Sequence, residues 1–459
     1  MQHDATAVAP VPVGPPDGAA TVAGTEAAAL WGVRQPDGTL VDVRLSGGRV
    51  VSLAPSGSRP SGGLPGPGLD ARGWRVLPAA CEPHAHLDKA FTAARVPAGQ
   101  GADLEGAVAR WRALAPQIDR ADVLGRARAA VERYASRGIT TIRTHVDAPA
   151  EGDPLRMLDA LLALRDELAG SVTVQVCLLG GWHTPTAVFV EAAARGVDVL
   201  GGCPHLAPDP HGEVTRVLDV AERTGLPVDL HVDEQTSLPD GGALDGGSLD
   251  IEDLARQVIA RGLTQRVTAS HAVRLGSLPP ERLAPVVDLV ARAGLGVVTL
   301  PVTNLYLQGR DATHLVPRGL TAVRALLDAG VPVAAGADNV RDPFNPVGSC
   351  DPFETTALLM TAAHLTEREA LDAVTTTPRT VLGLPPAGLS PGDRADLVLV
   401  PDVPLGDVLA GAEQARVVLA GGRVIADTRV RRDLSLVAPA GPADVASPRT
   451  APLPDQLVR

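Results

Sequence analysis

The sequence predicts an α/β chain: a (β/α)8 TIM barrel with a small β-sandwich formed by its N- and C-terminal flanks. Three observations carry this. Apolar, strand-like runs alternate with helical patterns between residues 71 and 385. Segments bearing metal-type side chains follow several of those runs, and β-rich stretches bracket the whole.

Taken in order, residues 1–24 are rich in Pro, Ala and Gly and are expected to be disordered, as are residues 436–459. Residues 25–70 read as short strands with Asp37-Gly38 and Gly47-Gly48 turns, followed by a Gly/Pro/Ser linker over about 53–68. Residues 386–435 supply matching runs, Ala395–Val400, Ala415–Ala420 and Arg423–Ala426, which complete the composite sandwich. Barrel strands are expected at 75–81, 140–146, 172–179, 197–202, 227–232, 266–271, 295–302 and 331–337. Helical patterns lie between most of them, including Asp122–Ser136, Leu155–Leu168, Val214–Thr224, Ile251–Arg261, Pro280–Ala293 and Thr321–Asp328. A doubly wound sheet would place a Gly-rich turn after its first strand. Here that position holds His84-Ala85-His86.

The bulk numbers narrow the function. At 459 residues and 45% apolar content a large core can be buried, and with 2% aromatics it must be Val, Leu and Ala. A net charge of −12 with no basic run argues against nucleic-acid binding and suits a small neutral or cationic substrate. The four cysteines, Cys81, Cys177, Cys203 and Cys350, are too sparse for a disulfide framework, so a cytoplasmic protein is expected. Met1–Gly24 has no Lys or Arg and no sustained apolar run, so neither a signal peptide nor a membrane span is expected there. Association into a homo-oligomer is compatible with all of this.

The chemistry lies at the strand ends. His84 and His86 are two apart, so both point to one face of a strand. His231 follows the run Leu226–Leu230, and Asp338 follows Val331–Gly336. The C-terminal strand ends of a barrel converge, so His84, His86, His231 and Asp338 make a three-His, one-Asp site for a divalent ion, with water as the remaining ligand. Metal-bound water has its pKa lowered towards neutrality. Asp338 can accept its proton, His271 at the sixth strand end can orient it, and Glu234 can protonate a ring nitrogen or a leaving amine. No lysine stands at the fourth strand end to bridge two ions, so one metal is expected. Taken singly, Glu234 reads as a solvated carboxylate and His271 as a structural barrel histidine; their company favours chemistry. His145 at the second strand end reads as a support to the ligands or as a structural histidine, with contact to the substrate a further candidate role. His183, His205, His211 and His314 read as surface or cap histidines. Lys89, the only lysine among 41 Lys and Arg side chains, falls three residues past His86, where a compact ammonium fits better than a guanidinium.

The segments LPAACEPHAHLDKAFTA, TTIRTHVD, VDLHVDE, VTASHAV, TNLYLQGR, AAGADNVRDPFNPVG, GDRADLVLVP and GGRVIA together resemble the amidohydrolase superfamily, within it the cytosine deaminase branch. The resemblance runs from about residue 30 to 430. It implies a distorted (β/α)8 barrel with a flanking sandwich, one Zn2+ or Fe2+, and hydrolysis at an amidine-like ring carbon of a small heterocycle. His84, His86, His231 and Asp338 match its metal ligands, Glu234 its acid/base glutamate, and His271 the histidine that supports the attacking hydroxide. Gln308, in the segment Gln308-Gly309-Arg310, resembles a family loop at the substrate. Gly181, Asn339 and Phe344 stand where cytosine deaminases have a glutamine, a second aspartate and a tryptophan. Lys89 and the Asp338-Asn339 pair instead resemble the N-isopropylammelide amidohydrolase branch, which releases an alkylamine from a triazine but lacks a counterpart of Glu234. The resemblance therefore implies a deaminase releasing ammonia, with alkylamine release or opening of a cyclic amide as the alternative. A non-catalytic metal-binding relative would be expected to have lost a ligand or Glu234, and this chain keeps them all.

Overall fold

Eight short apolar runs form the central barrel in the computed structural model, which describes residues 11–12, 21–57, 66–96, 103–236, 248–310, 313–314, 316–411 and 414–430. The strands are β1 (Ala80–Ala85), β2 (Ile139–Asp147), β3 (Thr173–Gly180), β4 (Val199–Gly202), β5 (Val228–Val232), β6 (Val267–His271), β7 (Gly296–Thr299) and β8 (Val333–Ala335). All neighbours pair in parallel and in chain order. The last strand returns to the first through a parallel bridge between Ala85 and Asp338, which closes the barrel at the level of the expected ligands.

Helices cover the outside, so β5, β6 and β7 are buried along their whole length. Sequence chemistry sets the helix ends. Asp119 caps Arg120–Ser136 by accepting from the Asp122 amide, and Asp209 caps Pro210–Thr224 from Gly212. Gly225, Gly262 and Gly294 take the left-handed conformation that ends Pro210–Thr224, Asp250–Arg261 and Pro280–Ala293. The expected helices recur within a few residues of these bounds. Among the described residues no helix is long and apolar enough to cross a membrane.

The two flanks meet in one nine-stranded sheet. Its N-terminal strands include Ala29–Arg34, Leu40–Ser46 and Arg49–Pro55; its C-terminal strands are Leu397–Pro401, Arg416–Ala420 and Arg423–Thr428. They share a core of Leu30, Val43, Leu69, Trp74, Leu397 and Val417. Trp74–Pro78 joins the halves by pairing antiparallel with Leu397–Pro401.

That strand corrects the sequence reading of 75–81, which straddles two sheets. Pro78 ends the strand of the flanking sheet; the Ala79 amide bonds Asp396 O and the Ala80 amide already bonds Gly138 O across to the barrel. The seventh candidate stops at Thr299 because Pro301 starts a short helix, Pro301–Leu307. Most of the tail expected over residues 1–24, the core of the linker, and all of 436–459 lie outside the described residues. Within 1–24, Val11–Pro12 pairs with Leu69–Asp70 and Val22 is buried.

Candidate metal centre

The strand ends bring His84, His86, His231 and Asp338 together, all buried. His84 Nε2 lies 3.1 Å from His231 Nε2, and His86 Nε2 lies 3.4 Å from it. Asp338 Oδ1 stands 3.3 Å from His86 Nε2 and 3.9 Å from His84 Nε2. Burial holds all three imidazoles well below the ordinary histidine pKa, so they are neutral. Three neutral ring nitrogens thus face one another beside a carboxylate oxygen that accepts no hydrogen bond among the described residues. The three imidazole nitrogens lie close enough to share one divalent cation, with the Asp338 oxygen beside two of them, and imidazoles with a carboxylate are a borderline-metal donor set.

The surroundings of the cluster are polar and buried. Glu82, two residues before His84, accepts from the Ala337 amide at 2.9 Å and the His84 amide at 3.3 Å, tying β1 to the end of β8. Burial pushes its carboxyl up to about 8. The Lys89 ammonium sits 3.1 Å from His86 Nδ1, 2.8 Å from Asp147 Oδ1 and 3.6 Å from Asp88 Oδ2. Burial alone would lower Lys89, but Asp147 and Asp88 raise it, so it stays protonated.

Glu234 and His271 lie beside the cluster. Glu234 Oε1 is 3.8 Å from His271 Nδ1, and Glu234 Oε2 is 3.4 Å from His205 Nε2. Burial raises Glu234, but His271 and His205 outweigh it and leave the carboxyl below its ordinary value. Asn304 Nδ2 lies 3.2 Å from His271 Nδ1, and His271 Nε2 has no hydrogen-bond partner among the described residues. His205 is a correction to the sequence reading. The 3-10 turn Pro204–Leu206 folds it over β5, where its Nδ1 meets His231 O at 3.0 Å, so it is a site residue rather than a surface or cap histidine.

A cavity of about 390 Å3 opens onto the cluster. Of the residues expected at the substrate, Lys89, Gly181, Asn339 and Phe344 line it, together with Trp111, Asp147, Trp182 and His183. A Cβ at Gly181 would stand 2.7 Å from His183 Cε1, so the His183 ring forms the wall there. Asn339 is turned by a 2.8 Å bond from its Nδ2 to Asp342 Oδ2.

One expectation does not hold, and another is narrowed. Gln308 does not line the cavity: its amide donates to Glu234 O at 2.8 Å and accepts from the Thr236 amide at 3.0 Å, bracing the loop that carries Glu234. His145 is fully buried behind the cluster, its ring stacked on His84 at 3.8 Å and away from the cavity lining, the place of a support to the ligands rather than of a substrate contact. The sequence reading also missed Glu82, Asp229 and Ser270. Asp229 and Ser270 were legible only as polar residues inside otherwise apolar strands.

A model of the amidohydrolase family matches residues 98–426. Pterin deaminase of Rhizobium rhizogenes is 30% identical over 401 residues, covering 84% of this chain and 87% of its own. The structure of 5-methylcytosine deaminase from Klebsiella pneumoniae liganded with phosphonocytosine superposes with a TM-score of 0.77 at 26% identity, covering 90% of this chain and 100% of its own. N-isopropylammelide isopropylaminohydrolase from Burkholderia multivorans superposes with a TM-score of 0.74 at 28% identity, covering 87% and 98%. The chain belongs to the amidohydrolase family, as its strand-end motifs led one to expect.

Proposed function

We propose that this member of the amidohydrolase family is a hydrolytic deaminase of a nitrogen-rich heterocycle, holding one Zn2+ or Fe2+ on His84, His86, His231 and Asp338. The observation that carries the reading is Glu234: a buried carboxylate on the cavity wall, beside the four-donor cluster and flanked by His271 and His205. A bound divalent ion supplies Lewis acidity and makes water nucleophilic near neutral pH.

The chain's own groups do the rest. Glu234 is ionised, so it first takes a proton from the attacking water and then passes it to the ring nitrogen next to the reacting carbon. His271 Nε2, buried and without a hydrogen-bond partner among the described residues, orients that water. Asp338 carries the second proton of that water to the exocyclic nitrogen. A C–O bond forms and the exocyclic C–N bond breaks, so a ring amidine plus water gives a ring amide plus ammonia. Trp111, Trp182 and Phe344 offer flat walls for an aromatic ring, and Asp147 and Asn339 offer polar edges. The similarity to pterin deaminase makes a fused pterin-type ring the first substrate to try. Four free cysteines fit a cytoplasmic site of action.

Lys89 and Asn339 on the cavity wall, with the N-isopropylammelide hydrolase among the matched structures, support release of an alkylamine as a second reading. Metal-quantified protein would be assayed for ammonia and isopropylamine on pterin, 5-methylcytosine, cytosine, aminotriazines and N-isopropylammelide. Ammonia from one of the first four compounds supports the first reading, and isopropylamine alone the second. Glu234→Gln is expected to keep its metal and lose roughly 10²-fold or more in turnover. Full activity in that variant would remove Glu234 from the mechanism.

A further inference from the structure

Resting on the reading that His84 is a metal ligand, we infer that Ser270 and Asp229 are positioning residues that fix His84 in the one tautomer able to bind the ion. His84 Nδ1 lies 3.0 Å from Ser270 Oγ, and Ser270 Oγ donates to Asp229 Oδ1 at 2.6 Å. The other oxygen, Asp229 Oδ2, accepts from Arg143 Nη1 at 2.9 Å. All four groups are buried.

The donor count settles the direction. A guanidinium only donates, and a buried one needs an ionised partner, so Asp229 is an acceptor at both oxygens. The single Ser270 proton therefore goes to Asp229, leaving Ser270 Oγ with only lone pairs for His84. His84 must then carry its proton on Nδ1, and its Nε2 lone pair is bare. That Nε2 is the atom 3.1 Å from His231 Nε2 and 3.9 Å from Asp338 Oδ1. The His145 ring, stacked on His84 at 3.8 Å and 27° and itself 3.5 Å from Asp229 Oδ2, blocks the ring from swinging away. The sheet register makes the relay possible: β5 and β6 pair with Asp229 beside Thr268 and His231 beside Ser270. His84 is thus oriented before any ion arrives, so less order is lost on binding.

The direct test is the nitrogen-15 spectrum of histidine-labelled, metal-free protein, with His84 assigned by its disappearance in His84→Gln. A protonated Nδ1 and a bare Nε2 are expected; a protonated Nε2 would overturn the relay. Zn2+ affinity, measured by chelator competition, gives the second readout. Ser270→Ala is expected to bind roughly 10–100-fold more weakly, with an unchanged circular dichroism spectrum, and Ser270→Thr to recover most of that loss. In Asp229→Asn the amide can donate to Ser270 and reverse its hydroxyl, so the loss should exceed that of Ser270→Ala. Parent affinity in Ser270→Ala would refute the relay while leaving the proposed function standing. Parent affinity in His84→Ala would instead refute the metal site itself.

Discussion

Adding one methyl group at Gly336 should loosen both the barrel and its metal centre. Gly336 lies between β8 and Asp338, and its backbone conformation is one an alanine can adopt. The obstacle is space: a Cβ there would press into Glu82 Oε1 and stand 3.1 Å from both Glu82 Cδ and Pro83 Cδ. Pro83 is fixed in the chain, so the Glu82 carboxylate has to move. It then gives up the Ala337 amide at 2.9 Å and the longer bond to the His84 amide at 3.3 Å. With its carboxyl raised to about 8, Glu82 is mostly neutral near pH 7, so the cost is that of leaving the two buried amides without an acceptor, about 1–3 kcal/mol each and less for the longer bond, a loss of roughly 2–5 kcal/mol. Restricting the unfolded chain returns roughly 0.4–1 kcal/mol of that.

The assay is chemical denaturation of metal-free protein, followed by Zn2+ affinity on the same samples. Gly125→Ala is the control, since Gly125 sits in the helix Arg120–Ser136 and a methyl added there would meet nothing within 4 Å. That change should stabilise by roughly 0.5–1 kcal/mol. Gly336→Ala should fall well below the parent in stability and bind Zn2+ more weakly, because Asp338 follows the freed Ala337. Equal denaturation midpoints for the two variants would refute the argument that Glu82 clamps the barrel shut.

Two further outcomes are expected. Glu234 is held below its ordinary value of 4.5, so its ionised form is present above that value and is lost only as pH falls through the lower, folded one. The profile of kcat/KM should therefore show no Glu234 limb between about pH 5 and 7, and a limb there that shifts in Glu234→Asp would contradict this. Lys89, the only lysine, is buried and held protonated by Asp147 and Asp88. An amine-acylating reagent should mark only the α-amino group of the native protein and Lys89 only after denaturation; mass spectrometry of native protein with Lys89 labelled early would show the ammonium is accessible.

The barrel was legible because each strand is a short apolar run and each helix carries its own stop signals, such as Gly225, Gly262 and Gly294. The cluster was legible because a strand end concentrates its ligands locally, as in His84-Ala85-His86. What escaped depends on how strands lie beside one another. Ser270 and Asp229 reach His84 only through the register of β5 against β6 and the closure of the barrel, neither of which a single chain states. His205 looked like an ordinary loop residue because nothing local says that Pro204–Leu206 folds back over β5. Gln308 and His145 are polar groups near the right strands, and only coordinates separate a group facing the cavity from one facing the backbone or the ligands behind it. The first strand was misjudged for a local reason: an apolar run continues through Pro78 and Ala79 while the hydrogen bonding changes partners beneath it.

The strand ends also show how the fold maintains a costly geometry. Asp233, His271 and Asp338 follow or end β5, β6 and β8 with φ of 50°, 72° and 70°, a left-handed backbone that costs a non-glycine residue roughly 1–2 kcal/mol. Glycine would remove that cost but also the side chains that the site uses. Each turn is instead held by a buried polar tether. Asp233 accepts from the Asp250 and Ile251 amides at 3.1 and 2.9 Å, capping the next helix. The Thr321 hydroxyl donates to His271 O at 2.6 Å. Glu82 holds Ala337, the residue before Asp338, at 2.9 Å. A buried tether of this kind is comparable in strength to the strain it opposes. Glu234, which follows Asp233, is therefore positioned by a helix cap and by the Gln308 brace, so its placement depends on residues that never meet a substrate.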